Sequence, residues 1–97
     1  KDHPDIAKTL QRLGDATAAQ GELDTATGSY SQAVTIRRNH FDYELLADAV
    51  YNMGLIAKKN GDLKLAEKSF IEVTEITETT ENLDDLRCKA ELELGNL

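Results

Sequence analysis

Tyr51-Asn52-Met53-Gly54, followed by Gly61-Asp62-Leu63-Lys64-Leu65-Ala66 and leading to Phe70 and Val73, has a counterpart forty residues earlier in the chain. Sliding the sequence by that interval lays Gly14 on Gly54, Gly21 on Gly61, Leu23 on Leu63, Ala26 on Ala66, Ser29 on Ser69, Tyr30 on Phe70, Ala33 on Val73 and Ile36 on Ile76. A third copy opens at Leu92-Glu93-Leu94-Gly95. Self-similarity at a fixed period of this size is the signature of a stacked repeat array, in which each unit buries its apolar face only against its neighbours.

The helical periods follow from this register. Pro4 with Asp5 in the first turn predicts a helix start, because Pro loses nothing at the first position and a carboxylate suits the positive helix end. Ile6, Leu10, Leu13 and Thr17, with Ala7, Gly14 and Ala18 beside them, give the first helix one narrow apolar face, and Gly21 ends it with a left-handed cap. A second helix runs from a cap at Asp24 to about Asn39 on Ala26, Tyr30, Ala33, Val34 and Ile36. So short a link makes the two helices antiparallel, with the backbones closest at Gly14 and Ala26.

Asp42 is expected to cap the third helix, which carries Leu45, Leu46, Ala49, Val50, Met53, Leu55, Ile56 and Ala57 up to Asn60 and Gly61. Asp62 caps the fourth, with Leu63, Leu65, Ala66, Phe70, Val73 and Ile76 as its packing face. Its Thr- and Glu-rich end, 72–80, is expected to fray unless a neighbour covers it. Asn82 caps a fifth helix with the face Leu83, Leu86, Ala90, Leu94 and Leu97. That face is expected to lack a cover and so to favour self-association. The class is all-α: antiparallel helical hairpins in one domain, repeat 1 over about 4–40, repeat 2 over about 42–80 and the first helix of repeat 3 over about 83–97. The chain does not begin with Met and stops inside a repeat, so it reads as part of a longer polypeptide.

Composition narrows the work such a domain can do. The net charge of −7 and a pI near 4.7 disfavour nucleic acid and anionic membrane, which bind basic patches. The acidity is concentrated: residues 1–61 hold eight acids and seven bases, residues 62–97 ten acids and four bases. A partner steered to the C-terminal part is therefore expected to be basic there. No apolar run is long enough to span a bilayer. The single Cys88 forms no internal disulfide, agrees with a cytoplasmic location, and reads as a small apolar residue on a helix.

Catalysis needs a constellation, and His3, His40 and Cys88 fall in three separate units. No HExxH, CxxC, GxGxxG or phosphate-binding loop occurs. Asp2, His3 and Asp5 read as a helix start before they read as a metal site, and Asp84-Asp85 and Glu91-x-Glu93 as surface charge. No catalytic residue, cofactor or metal is assigned.

Leu10-x2-Leu13-Gly14 with Ala26-x3-Tyr30-x2-Ala33, and Val50-x2-Met53-Gly54 with Ala66-x3-Phe70-x2-Val73, resemble the tetratricopeptide repeat. Leu10 and Val50 stand where that family has Trp, Thr17 and Ala57 where it has an aromatic, and Arg38 and Glu78 where it has Pro. The period of 40 to 41 exceeds the usual ~34. It is similar to the extended repeats of kinesin light chains and cortical polarity adaptors, and His3-Pro4-Asp5-Ile6-Ala7 is similar to the kinesin-light-chain opening.

The resemblance implies a right-handed superhelix whose first helices line a concave groove for a partner peptide. On that face it places Lys8, Gln11, Arg12 and Asp15, then Asp48, Tyr51, Asn52, Leu55 and Lys58, then Lys89, Glu93 and Asn96. Tyr51 and Leu55, one turn apart and badly placed for the hairpin core, are the expected anchors. A carboxylate clamp for chaperone tails does not fit: Asn52 and Lys89 match it, but Gln11, Asp15 and Glu93 do not. The function implied is a peptide-binding adaptor or scaffold. The alternatives are a structural spacer and a peptide-sensing array attached to an effector domain.

Overall fold

The computed structural model describes residues 4–40, 43–79 and 83–97. Five helices follow one another among them: α1 (Pro4–Ala19), α2 (Leu23–Asn39), α3 (Tyr43–Lys59), α4 (Leu63–Thr79) and α5 (Asp84–Gly95). Each packs on the next, α1 on α2 and α3 on α4 as hairpins, with α2 on α3 and α4 on α5 joining them, and α5 also touches α3. The result is an all-α solenoid of two hairpins and half of a third.

Both hairpin turns are built the same way. Gly21 at φ 86° and Gly61 at φ 81° adopt the left-handed conformation that a Cβ disfavours. Around them Glu22 N–H donates to Thr17 O at 2.9 Å and Gly21 N–H to Ala18 O at 3.0 Å. Asp62 N–H donates to Ala57 O at 2.9 Å and Gly61 N–H to Lys58 O at 3.1 Å. These paired bonds satisfy the last carbonyls of α1 and α3 in the Schellman manner.

The expected caps meet different fates. Asp62 Oδ1 accepts from Leu65 N–H at 3.2 Å and caps α4. Asp24 does not cap α2: that helix begins one residue earlier, behind Glu22, which gives no side-chain cap bond. Asp24 instead accepts from Asn60 Nδ2 at 2.7 Å, tying the start of α2 to the end of α3. The caps expected at Asp42 and Asn82 lie outside the described residues, and Leu83 occupies the position before α5 without a side-chain cap bond.

Each hairpin packs a glycine of its first helix against an aromatic ring of its second. A Cβ on Gly14 would sit 2.6 Å from Tyr30 Cδ2, and one on Gly54 2.7 Å from Phe70 Cε1. The backbone approach expected at Ala26 is the looser neighbour, its carbonyl 3.3 Å from the same point. Tyr30 and Phe70 are fully buried, each packed against the glycine on the first helix of its own hairpin. Phe70 joins Val34, Leu46, Ala49, Val50, Ala57, Ala66, Val73 and Ala90 in the central core, which spans α2 to α5.

The two repeats differ in what covers them. Leu46 is buried and Met53 partly buried against the preceding hairpin, whereas their counterparts Ile6 and Leu13 are 46% and 49% exposed. The inward face of α1 is therefore narrower than its apolar pattern, and is made by Ala7, Leu10 and Gly14, with Ala18 packed on the Ala26–Tyr30–Ile56 cluster. Leu63, expected in the packing face of α4, is also exposed, at the first position of that helix.

The end of α4 continues as helix to Thr79. Thr77 is buried there with its hydroxyl donating to Val73 O at 2.8 Å, and Glu72 pairs with Arg38 of α2 at 2.6 Å. The face of α5 expected to stand uncovered is the one that docks. Ala90 is fully buried, Leu83 nearly so, and Leu86 and Leu94 pack on the central core. Leu92 and Leu97 are the apolar side chains α5 and its end leave outward, and Cys88, expected to behave as a small apolar residue, is exposed.

Candidate functional site: the face of α1, α3 and α5

Among the described residues, three hollows lie along the face made by the first helices of the repeats. The largest, about 640 Å³, is lined by Asp15, Ala18 and Ala19 of α1, by Asn52, Leu55, Ile56, Lys58 and Lys59 at the end of α3, and by Glu93 of α5. Its floor of Ala18, Leu55 and Ile56 is apolar and its rim polar, the usual composition of a binding surface.

The rim groups are held in place by one another. Lys58 Nζ donates to Glu93 Oε1 at 2.7 Å, a bridge from α3 to α5 with both side chains part-buried. Asp15 accepts the hydroxyl of the buried Tyr30. Burial, then that hydrogen bond and the Asp15 charge, push the Tyr30 phenol far above its ordinary value. Asn52 donates from Nδ2 to Asp48 O at 2.9 Å, and its Oδ1 accepts no bond among the described residues.

A second hollow, about 340 Å³, lies between α3 and α5, with Glu44, Leu45, Asp48, Leu83, Asp85, Leu86 and Lys89 around it. A third, about 500 Å³, lies between α1 and α3 and is lined by Asp5, Lys8, Gln11, Arg12, Asp15, Arg37 and Leu45.

The expected groove residues are thus distributed over three places. Asp15, Asn52, Leu55, Lys58 and Glu93 meet at the largest hollow, Lys8, Gln11, Arg12 and again Asp15 at the α1 end, and Asp48 with Lys89 at the smallest. Asn96 lines none of the three and follows α5 as its cap residue.

Tyr51 and Leu55 are not displaced from the core as their spacing suggests: both are half-buried and pack against it. The Tyr51 ring is tilted at 57° to Phe70 with centroids 5.7 Å apart, and Tyr51 lines none of the three hollows. Burial, helped by the Glu93 charge and opposed by Lys58, raises its phenol above the ordinary value.

Four lining residues of the largest hollow, Ala18, Ala19, Ile56 and Lys59, are absent from the expected groove set: the two alanines are small, Ile56 is expected in the core, and Lys59 lies one position past the groove turn at Lys58. Arg37 is absent from it because it comes from a second helix. Its repeat partner forty residues on is Thr77, and both are buried polar residues in the last turns of their helices.

Among the described residues no group of three or more His, Cys, Asp or Glu is arranged to hold a metal ion. No described helix is long and apolar enough to cross a membrane.

Residues 47–80 match the tetratricopeptide repeat family profile. The match covers the second hairpin from the second turn of α3 to just past α4, about a third of the chain, and supports a repeat of that family. The forty-residue period is longer than the matched span, and the joint and the first turn of α3 make up the difference. Comparison with curated proteins gives no match. The match also supports protein–protein interaction as the general class of work.

Proposed function

We propose that the chain is an interaction module whose α1/α3/α5 face takes up a segment of a partner protein, acting as adaptor or scaffold. The reading rests most on the 640 Å³ hollow, with its apolar floor of Ala18, Leu55 and Ile56 beneath Asp15, Asn52, Lys58 and Glu93. Three helices from three repeats contribute to it, so a bound segment would hold the solenoid together as well as be held by it.

Leu55 gives an apolar anchor and the open Asn52 Oδ1 an acceptor for a backbone N–H. The period of 40 favours the extended variety of repeat, whose longer first helix adds Glu44 and Leu45 to the wall of the face.

The test is peptide display on the whole chain, followed by calorimetric titration of a selected peptide against two variants. Ala19→Trp fills the hollow without removing a contact, and Lys64→Ala with Lys68→Ala changes the outer face of α4. Binding weakened about tenfold or more by Ala19→Trp and kept by the outer-face variant supports the reading. The reverse pattern would move the site to the other face, and no binder at all would favour a structural spacer.

A further inference from the structure

We propose that Arg37 is a receptor for a carboxylate side chain of the bound segment, at the α1 end of the same face. The proposal rests on the groove reading above and adds the chemistry of one subsite. Arg37 reaches from the last turn of α2 to the floor of the hollow between α1 and α3, and is only 6% exposed. A guanidinium does not lose its proton in a protein, so it is a buried full charge.

Its partner is not a carboxylate. Nε and Nη2 both donate to one neutral atom, Gln11 Oε1, at 3.2 and 3.1 Å. Arg37 takes part in no ion pair among the described residues. Nη1, with two further N–H groups, has no acceptor there. Arg37 lines the hollow between α1 and α3, so an acceptor seated there stands beside its remaining donors.

The surroundings favour an anion of modest charge. Among the described residues, Lys8 and Arg12 line the same hollow, so three cations face Asp5 and Asp15, and Asp15 is engaged by the Tyr30 hydroxyl. In the other two hollows of this face acids equal or outnumber cations. A buried cation held only by an amide is costly, and an incoming carboxylate would relieve that cost through paired, charge-assisted hydrogen bonds. Leu45 is the apolar side chain lining this hollow of about 500 Å³ and suits the stem of a Glu, so the occupant is an acidic residue within a partner segment.

The experiment uses the whole chain and two short degenerate peptide libraries that differ only in a fixed central Glu or Gln. Fluorescence anisotropy should show the Glu library binding about tenfold tighter or more, the range of hydrogen bonds to charged groups. Gln11→Glu supplies the missing carboxylate from within: it should raise the melting temperature and abolish the preference for Glu. Arg37→Gln should abolish the preference as well.

Equal binding of the two libraries, or a Glu preference that survives Gln11→Glu, overturns the Arg37 site and leaves the groove reading intact. Failure of both libraries to bind overturns the two together. A phosphoserine library that outbinds the Glu library would replace the carboxylate with a phosphate and overturn the proposal as stated.

Discussion

Phe70 packs so closely on Gly54 that a Cβ placed on the glycine would fall 2.7 Å from Phe70 Cε1. Tyr30 and Gly14 repeat the relationship at 2.6 Å, forty residues earlier. One missing side chain per hairpin is what lets an aromatic ring fill the space between two antiparallel helices. Gly54→Ala should therefore cost about 1–3 kcal/mol by overpacking. Chemical denaturation checks it, and Phe70→Leu in the same chain should recover part of the loss. A Gly54→Ala variant as stable as the parent would remove the glycine-ring contact as the organising feature.

The other glycines divide by backbone conformation. Gly61, at φ 81°, should lose about 1–2 kcal/mol on replacement by Ala. Gly28 sits exposed inside α2 with nothing within 4 Å of a Cβ, and Gly28→Ala should gain about 0.5–1 kcal/mol. Melting temperatures of the two variants should move in opposite directions.

Tyr30 makes stability sensitive to alkaline pH. Its phenol is raised in the folded chain by burial and by Asp15, so above the unfolded value of about 10 the folded state holds a proton that the unfolded state has released. The stabilisation is complete below that pH and is lost as pH rises beyond it. Tyr51, raised in the same direction, adds to the slope. Denaturation at stepped alkaline pH should show the fall, and Tyr30→Phe should flatten it while costing about 1 kcal/mol at neutral pH for the lost bond to Asp15.

Lys58 and Glu93 are both part-buried, and their 2.7 Å contact bridges α3 to α5. Lys58→Met should cost less than about 1 kcal/mol in overall stability, given the remaining exposure of the pair. It should nevertheless raise hydrogen exchange across α5, since few other contacts join α5 to α3.

Much of this fold is legible in the spacing of small residues. Gly14 and Gly54, Gly21 and Gly61, and Ala26 and Ala66 locate both hairpins, and the helix ends fall close to the glycines because a positive φ at Gly21 and Gly61 stops α1 and α3. Local chemistry predicts Asp62 as a cap but misplaces Asp24. Its partner Asn60 is 36 residues away, and nothing local announces a bond between repeats.

The site is legible in part for the same reason. Asp15, Asn52, Leu55, Lys58 and Glu93 occupy equivalent turns of successive first helices, so the period brings them together. Tyr51 occupies such a turn too, yet its ring is drawn against Phe70, an attraction that the groove pattern does not contain. Arg37 belongs to a second helix and becomes part of the face only through the length of its side chain.

If the face of α1, α3 and α5 receives the partner, amide chemical-shift mapping of a displayed peptide onto the labelled chain should show its largest changes at Asp15, Ala18, Asn52, Leu55 and Glu93, with Gly28, Lys64 and Lys68 unmoved. Changes concentrated on the outer surfaces of α2 and α4, with the first-helix face silent, would place the partner on the other side of the solenoid.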